Sequence, residues 1–533
     1  MAGDNYCARI PKSPNYIYLV DISKSSADSH VAYYALSAIK DFLLSRSAED
    51  PEMSFSLVLY DQNLHLVQFS RNSSSPSLIT LDPATLEPTY NLYLKDFIFY
   101  LSDFKSASLG TQLDILIEDL PATCTSPTAD WFSLKKVINH ISLSIRSHGG
   151  KVVWVHGSEG MYVPKLSNKD PTKRGFYNNN DSEIHKVSAE FHRSMAYVDL
   201  FFFGRKQNKN ASVLGELIRL AGGDFFLYSG VEESDLVNFY NDLVHSCSKS
   251  QTWETVFRLR NSSGWNKHAF GNFFTSNFSD LLKIEGVDEN YCMFYRFSPN
   301  KKKPPQQTSN FFFVQTSLLF TDSRRRRLLR ICNYAVPISS LHRDCYLGMD
   351  YQATVAALMK ENLIQLCTSK PLTDIQIELV SKFKSFLKQM CGCTDKDYQE
   401  DQMAFLGLAF LGMFKHSVFR AQHFSDYQNP FIDQINWLKV LLNRSPVECV
   451  FKQINPLLFD LSEGFLTSTS KFEYPPTLEL SWEAVAGRPL VLLDDGLQMM
   501  LVFSSLNDSL CGKIFKYLLF FLIYQFFFLF FGI

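Results

Sequence analysis

Apolar positions run without a break from Tyr16 to Val20 and stop at Asp21. A half-solvated strand would alternate, so this run predicts a strand buried on both faces of a mainly parallel sheet. Its C-terminal end is where loops of such sheets carry function. Asp28 and Ser29 can then cap a helix, because Val31, Ala35, Leu36, Ile39, Phe42 and Leu43 recur at helical spacing. A strand over 55–60 follows, and strand, helix, strand opens an α/β layer. The turn Asp61-Gln-Asn63 and a second apolar run to Phe69 predict a hairpin. Further helices are expected over 109–120, 131–146, 183–195 and 214–220, the second stopped by Gly149-Gly150. Further strands are expected over 151–155, 198–203 and 224–228. Apart from its helix, 70–129 is poorly patterned, and 168–181 reads as a charged, Asn-rich loop.

The pattern changes after Ser250. Short strands are expected over 256–260, 291–297 and 311–320, with a Lys/Pro/Gln-rich loop over 299–310. From 347 to 442 the period is helical again, over 355–366, 374–389, 403–414 and 432–442. Residues 474–503 read as short strands around Asp494-Asp-Gly496. The expected fold class is multidomain, α/β then β then α.

Composition narrows the function. The 533 residues are 46% hydrophobic, enough for several cores, and the net charge of -2 speaks against a general nucleic-acid binder. The 11 cysteines form no Cys-x-x-Cys pair, and Cys391-Gly-Cys393 lacks further ligands at metal spacing, so free cytosolic thiols are expected. No signal peptide precedes Asn15. Catalytic motifs are missing too: Gly157-Ser-Glu-Gly160 is not a Gly-x-Ser-x-Gly elbow, and neither a phosphate-binding Gly-x-x-x-x-Gly-Lys loop nor a His-Glu-x-x-His helix occurs. The sequence predicts no enzyme and no cofactor.

Two clusters of arginine stand out. Arg258 and Arg260 alternate with Phe257 and Leu259 on a predicted strand, which turns both guanidinium groups to one face. Two such forks can each grip a carboxylate bidentately; the competing reading is a solvated or internally paired strand face. Ser323-Arg-Arg-Arg-Arg327 is a basic tip between strands. It would favour an anionic membrane surface or acidic peptide by about 1 kcal/mol per charge, but hairpin tips are often charged simply because they are solvated, and that reading is preferred.

Asp21-x-Ser23-x-Ser25 matches the Asp-x-Ser-x-Ser loop with which von Willebrand factor A-type domains hold Mg²⁺. A hard cation needs further oxygens from other loops. The strand expected to supply an Asp, 151–155, runs instead into His156-Gly157, so Asp21, Ser23 and Ser25 are read as a Ser-rich cap without metal.

Asn5-Tyr-x-x-Arg9-x-Pro, Tyr16-x-Tyr-Leu-Val-Asp-Ile-Ser23, Gly149-Gly-Lys-Val-Val, Val198-Asp-Leu-Phe and Ala221-Gly-Gly-x-Phe-Phe-x-Tyr228 together resemble the trunk of the cargo-adaptor family (Sec-twenty-four family) of the COPII vesicle coat. Val256-x-Arg258-x-Arg260-x-Ser-x-Gly264 through Gly271-Asn-Phe-Phe, Ser279-Asp-Leu, Val314-Gln-x-x-Leu-Leu319, Arg327-x-x-Arg330 and Pro337 resemble its β-sandwich. Lys415-His-Ser-Val-Phe-Arg420 is similar to its helical domain and Leu493-Asp-Asp-Gly496 to its gelsolin-like domain. The collinear order implies an N-terminal sandwich strand (1–14), a von Willebrand A-like trunk (15–248), a β-sandwich (249–340), a helical domain (341–452), a partial gelsolin-like domain (453–511) and a hydrophobic tail (512–533). It implies a coat subunit that selects cargo for transport from endoplasmic reticulum to Golgi. The expected partners are the sister inner-coat subunit, the small coat GTPase and cargo cytoplasmic tails, with peripheral membrane contact at endoplasmic reticulum exit sites and no nucleic acid. It also implies that Arg258 and Arg260, with Leu319, line the pocket that reads acidic export signals. The alternatives are the GTPase-activating sister subunit and a von Willebrand A-type adhesion module.

The family's Cys-x-x-Cys zinc ribbon would stand before this sequence, so no zinc is expected. From Tyr517 to Ile533 the sequence is apolar except at Gln525, behind Lys513 and Lys516. At the lower limit for a bilayer span, this reads as a tail anchor or as translated intron. The second is preferred, since a coat must leave its membrane.

Overall fold

The computed structural model describes residues 15–82, 97–124, 126, 138, 141, 149–157, 182–204, 211–274, 281–305, 310–366, 372–391, 400–419, 431–461 and 475–503. The chain divides into two compact units: residues 1–349, 357–394 and 417–446 form one, and 350–356, 395–416 and 447–533 the other.

The first unit is built on an eight-stranded sheet. Its strands are β1 (Asn15–Asp21), β2 (Ser54–Tyr60), β3 (Leu64–Gln68), β4 (Ser77–Leu81), β5 (Phe99–Tyr100), β6 (Gly150–His156), β7 (Ala196–Phe203) and β8 (Phe225–Tyr228). The order is β4-β3-β2-β1-β6-β7-β8, with β5 also on β2. From β2 to β8 neighbours are parallel, and the β2–β3 and β3–β4 pairs are antiparallel. Alternate residues of β1 enter opposite cores. Tyr16, Tyr18 and Val20 pack with Leu36, Phe42 and Leu57, and Ile17 and Leu19 with Trp154, Leu200 and Phe202. Burial of both faces is why the run shows no alternation. Gly150, where β6 starts, has φ +128°, and a Cβ there would lie 2.1 Å from the Asn15 carbonyl oxygen. Only glycine allows that approach.

The helices Val31–Glu49, Ser106–Glu118, Ser182–Ser194 and Ala211–Ala221 fall where periodicity places them. Of the helix expected over 131–146 only Ile138 and Ile141 are described, both buried in the core of Trp154, and the loop over 168–181 lies outside the described residues, as do Asn5 to Arg9, Cys393, Arg420 and 512–533. The poorly patterned stretch hides β4 at its start. The helix Glu233–Ser248 was not read from the sequence; it buries Leu236, Phe239 and Leu243 in the same core as Phe42.

The β-sandwich pairs a four-stranded sheet, order β11-β9-β13-β14, with a two-stranded one, β10-β12. These are β9 (Gln251–Asn261), β10 (Trp265–Phe270), β11 (Leu282–Asp288), β12 (Phe294–Pro299), β13 (Phe311–Thr321) and β14 (Arg327–Pro337). Rings fill the space between the sheets: Phe257 lies 6.0 Å from Tyr295, and Phe312 5.0 Å from Phe297 and 5.4 Å from Trp265.

A buried charge cluster ties this sandwich to the trunk sheet and to the helix Phe431–Arg444. Lys151 Nζ lies 2.6 Å from Asp199 Oδ2, Lys249 pairs with Asp224 and, at 2.6 Å, with Asp288, and Arg444 pairs with Asp224 and, at 2.7 Å, with Asp288. Three cations meet three carboxylates, which is what buried charges need.

In the second unit the helices Glu400–Lys415 and Val447–Ile454 pack through Phe405 and Phe451, ring centroids 5.6 Å apart. At Gly412 a Cβ would lie 2.3 Å from the Ile454 carbonyl oxygen. The antiparallel sheet has order β16-β15-β17-β18, from β15 (Leu457–Asp460), β16 (Thr477–Leu478), β17 (Leu490–Asp494) and β18 (Met499–Phe503). The short helix Trp482–Ala486 interrupts what the sequence suggested were strands alone. The turn is as expected: Asp494 Oδ1 accepts the Gly496 N–H at 2.8 Å, and Gly496 takes φ +85°.

Candidate functional site

Register places the arginines and the leucine together. Along β9, Arg258 pairs with Ser317 of β13 and Arg260 with Gln315, while Leu319 pairs with Val256. Directly opposed residues share a face, and so do residues two apart on a strand. Arg258, Arg260, Val256, Ser317, Gln315 and Leu319 therefore share the face turned away from Phe257 and Phe312. Lys283 joins them on β11, opposite Val256, and Leu329 on β14, opposite Leu319. Arg260 and Lys283 are exposed; Arg258, Leu319 and Leu329 are half-buried. The Gln315 amide donates to Asn333 Oδ1 at 2.9 Å and fixes the polar middle of this face. Two guanidinium groups two residues apart stand roughly 6.6 Å from each other at the backbone, the repeat of an extended chain. Lys283 was missed by sequence reading, because only the β9–β11 register assigns it to this face.

The Asp21 loop does other work. Asp21 is fully buried, its Oδ1 accepts the Ser23 N–H at 2.9 Å, and its Oδ2 accepts the Gly157 N–H at 3.1 Å with His156 Nδ1 at 3.4 Å. Donors thus surround the carboxylate where a cation would need more oxygens. Ser23 Oγ is buried without a partner and Ser25 is half-buried. Yet no group of three His, Cys, Asp or Glu side chains able to hold a metal occurs among the described residues. The Asp21 carboxylate is held instead by backbone donors of Ser23 and Gly157. Next to it, Trp154 Nε1 donates to the Tyr60 hydroxyl at 2.9 Å, and that hydroxyl lies 2.9 Å from His156 Nδ1. Burial, then the Asp21 charge, pushes the Tyr60 phenol well up, so it stays a neutral donor.

The basic tip is largely engaged rather than solvated. Arg325 grips Asp50 at 2.9 Å and also Glu52, Arg326 pairs with Asp322 at 2.7 Å, and Arg327 donates to the Glu254 carbonyl at 2.9 Å and to Thr321 Oγ1 at 3.0 Å. Arg324 is exposed. A second trunk–sandwich contact, likewise unread in the sequence, is His192 Nδ1 at 2.6 Å from Glu285 Oε1, with Glu285 fully buried. Burial raises the Glu285 carboxyl, and the hydrogen bond from His192 opposes this in part.

Comparison with known proteins agrees with this architecture. Residues 11–247 match the Sec23/Sec24 trunk domain and 252–339 the Sec23/Sec24 beta-sandwich domain, together more than half of the chain. Protein transport protein SEC24 of Dictyostelium discoideum is 27% identical over 408 residues, which cover 73% of this chain and 38% of that one. Human protein transport protein Sec24A is 21% identical, covering 94% of this chain and 46% of its own. The chain thus spans less than half the length of these relatives. The crystal structure of the human COPII-coat protein Sec24c has the same fold: TM-score 0.80, 20% identity, 96% of this chain and 67% of that one. The trunk and β-sandwich therefore stand in the order of the Sec23/Sec24 domains. The relatives named here are Sec24 proteins, and the chain belongs to the Sec23/Sec24 family.

Proposed function

We propose that this protein is a cargo-binding inner-coat subunit of COPII vesicles, choosing cargo for transport from endoplasmic reticulum to Golgi, and that it acts by binding and not by catalysis. The observation that carries the reading is the shared sheet face of Arg258, Arg260 and Leu319. An acidic cargo tail lying extended would put two carboxylates on the arginines and an apolar side chain against Leu319. Each charge-assisted contact contributes about 1.5–3 kcal/mol when shielded and far less when exposed, and micromolar affinity needs only about 8 kcal/mol. Coat assembly would use the trunk, within 15–248. Strand β4 ends the sheet, its residues are mostly exposed, and Ile79 is 41% exposed, whereas at the other end the helix Phe431–Arg444 packs on β8, with Trp437 Nε1 donating to the Phe225 carbonyl at 2.8 Å. An open edge invites a partner, and the sister inner-coat subunit is that partner in this reading. The small coat GTPase and the membrane surface of endoplasmic reticulum exit sites complete the assembly.

Calorimetric titration of an acidic cargo-tail peptide tests the site. Wild type should bind with micromolar affinity that weakens between about 50 and 500 mM salt, and Arg258→Ala/Arg260→Ala should lose it. Equal affinity in both proteins would remove these arginines from the site.

A further inference from the structure

Beyond the arginine pair, the same face carries an apolar side chain that neither the core nor the reading above uses. On β13 the residues at two-residue steps from Leu319 are Ser317, Gln315 and Phe313. Phe313 is 51% exposed although it lies on a paired strand, opposite Ala335. Its backbone is fixed: Phe313 N–H donates to Ser262 Oγ at 2.9 Å, and the Phe313 carbonyl accepts the Ser262 N–H at 3.0 Å, just past the end of β9. The Phe311 ring stands 6.3 Å away and widens the apolar area. Read along the strand direction, the order is apolar at Leu319, cation at Arg258, cation at Arg260, apolar at Phe313, at a repeat of roughly 6.6 Å, with the cations on β9 and the apolar residues on the adjacent β13.

We propose that Phe313 forms a second apolar subsite, so that the ligand of this face is an extended acidic peptide with an apolar side chain on each side of its two carboxylates. The proposal rests on the cargo-binding reading and adds the partner's pattern: apolar, acid, acid, apolar, each two residues from the next. Charge complementarity selects the acids, since Arg258, Arg260 and Lys283 lie on this face. An extended peptide supplies the spacing, because its alternate side chains point one way at the same repeat. The pattern is symmetric, so the peptide fits in either direction.

The test is fluorescence anisotropy on the full chain with the labelled peptides Leu-Ser-Glu-Ser-Glu-Ser-Phe and Leu-Ser-Glu-Ser-Glu-Ser-Ala, and the second pair with the leucine replaced by alanine. Wild type is expected to prefer the peptide with two apolar ends over either single-ended one by about tenfold. Phe313→Ser should abolish the gain from one end while leaving the affinity for the single-ended peptide unchanged. Phe313→Leu, which keeps an apolar group, should retain the gain and shows that folding is intact. A preference that survives Phe313→Ser, or no preference in wild type although acidic peptides bind through the arginines, overturns the Phe313 subsite and leaves the cargo-binding reading standing. No binding of any acidic peptide overturns both. Peptide binding untouched by Phe313→Ser, with weaker capture of the co-expressed sister subunit, would assign the phenylalanine to coat assembly and also overturn the proposal.

Discussion

Arg444 holds two carboxylates inside the molecule, and removing its charge while keeping its bulk is a sharp test of how the trunk, sandwich and helix Phe431–Arg444 are joined. The side chain is about as buried as its partner: Arg444 is 5% exposed and Asp288 8%. In Arg444→Met, Asp224, Asp288 and Asp199 are left with Lys249 and Lys151 alone, one negative charge in excess. Breaking a buried pair costs about 3–5 kcal/mol, because the orphaned carboxylate cannot recover its water. At roughly 2–4 °C per kcal/mol for domains of a few hundred residues, melting should fall by about 6–20 °C. Differential scanning calorimetry reads this directly. Adding Asp288→Asn should restore part of the loss, since the excess charge goes with it, and the double variant should be less impaired than the sum. A fall under about 2 °C, or strict additivity, would refute the view that these charges act as one node. The pH dependence has a definite sign. Burial raises the Asp199 carboxyl, but Lys151, then Lys249 and Arg444, outweigh it and hold Asp199 well below the usual carboxylate range. A depressed carboxyl stabilises above its unfolded value and is lost only as pH falls through the folded one. The node should persist unchanged from pH 8 to pH 5 and fail in stronger acid.

Glu285 should behave in the opposite sense: its raised carboxyl stabilises at low pH and the contribution disappears as pH rises through the folded value. Denaturation midpoints of wild type and Glu285→Gln should therefore shift in favour of the variant as pH rises from 4 to 8, and parallel curves would contradict this. Gly150→Ala should cost more than about 3 kcal/mol, as a backbone oxygen stands 2.1 Å from the new Cβ at a positive φ; soluble yield and melting check it. Arg325→Ala, on a half-exposed tip, should cost under about 1 kcal/mol, measured by the same melting curve. Co-expression with the sister subunit should give a heterodimer on size exclusion, and separate elution at micromolar concentration would count against the β4 edge.

What could be read from residues depended on how many faces each element buries. The trunk strands announce themselves because Tyr16–Val20 and Val198–Phe203 are apolar on both sides, and helix Val31–Glu49 because its stripe repeats. Strands β10 and β11, Trp-Asn-Lys-His-Ala-Phe and Leu-Lys-Ile-Glu-Gly-Val-Asp, escaped notice. Glu285 and Asp288 look like surface there, and partners distant in sequence, His192 for the first and Lys249 and Arg444 for the second, make their burial possible. For the site, period two sufficed to put Arg258 and Arg260 on one face. That Leu319 joins them depends on β9–β13 register, which no local pattern fixes. At the Asp21 loop the sequence shows the Ser-rich spacing but not the backbone donors, the amides of Ser23 and Gly157, that engage the carboxylate.

The β9–β13 ladder runs evenly from Val314 to Leu319 and then slips, so that Thr321 meets Trp253. A slip absorbs one residue at the end where Arg325 reaches Asp50, leaving the face of Arg258, Arg260 and Leu319 in phase. Among descendants of this gene, a single-codon insertion beyond Leu319 can be taken up by the tip. The same insertion early in β13 would exchange Leu319 and Ser317 for Leu318 and Thr316 beside the arginines. The make-up of this face should therefore change by replacing side chains, with length changes confined to the tip.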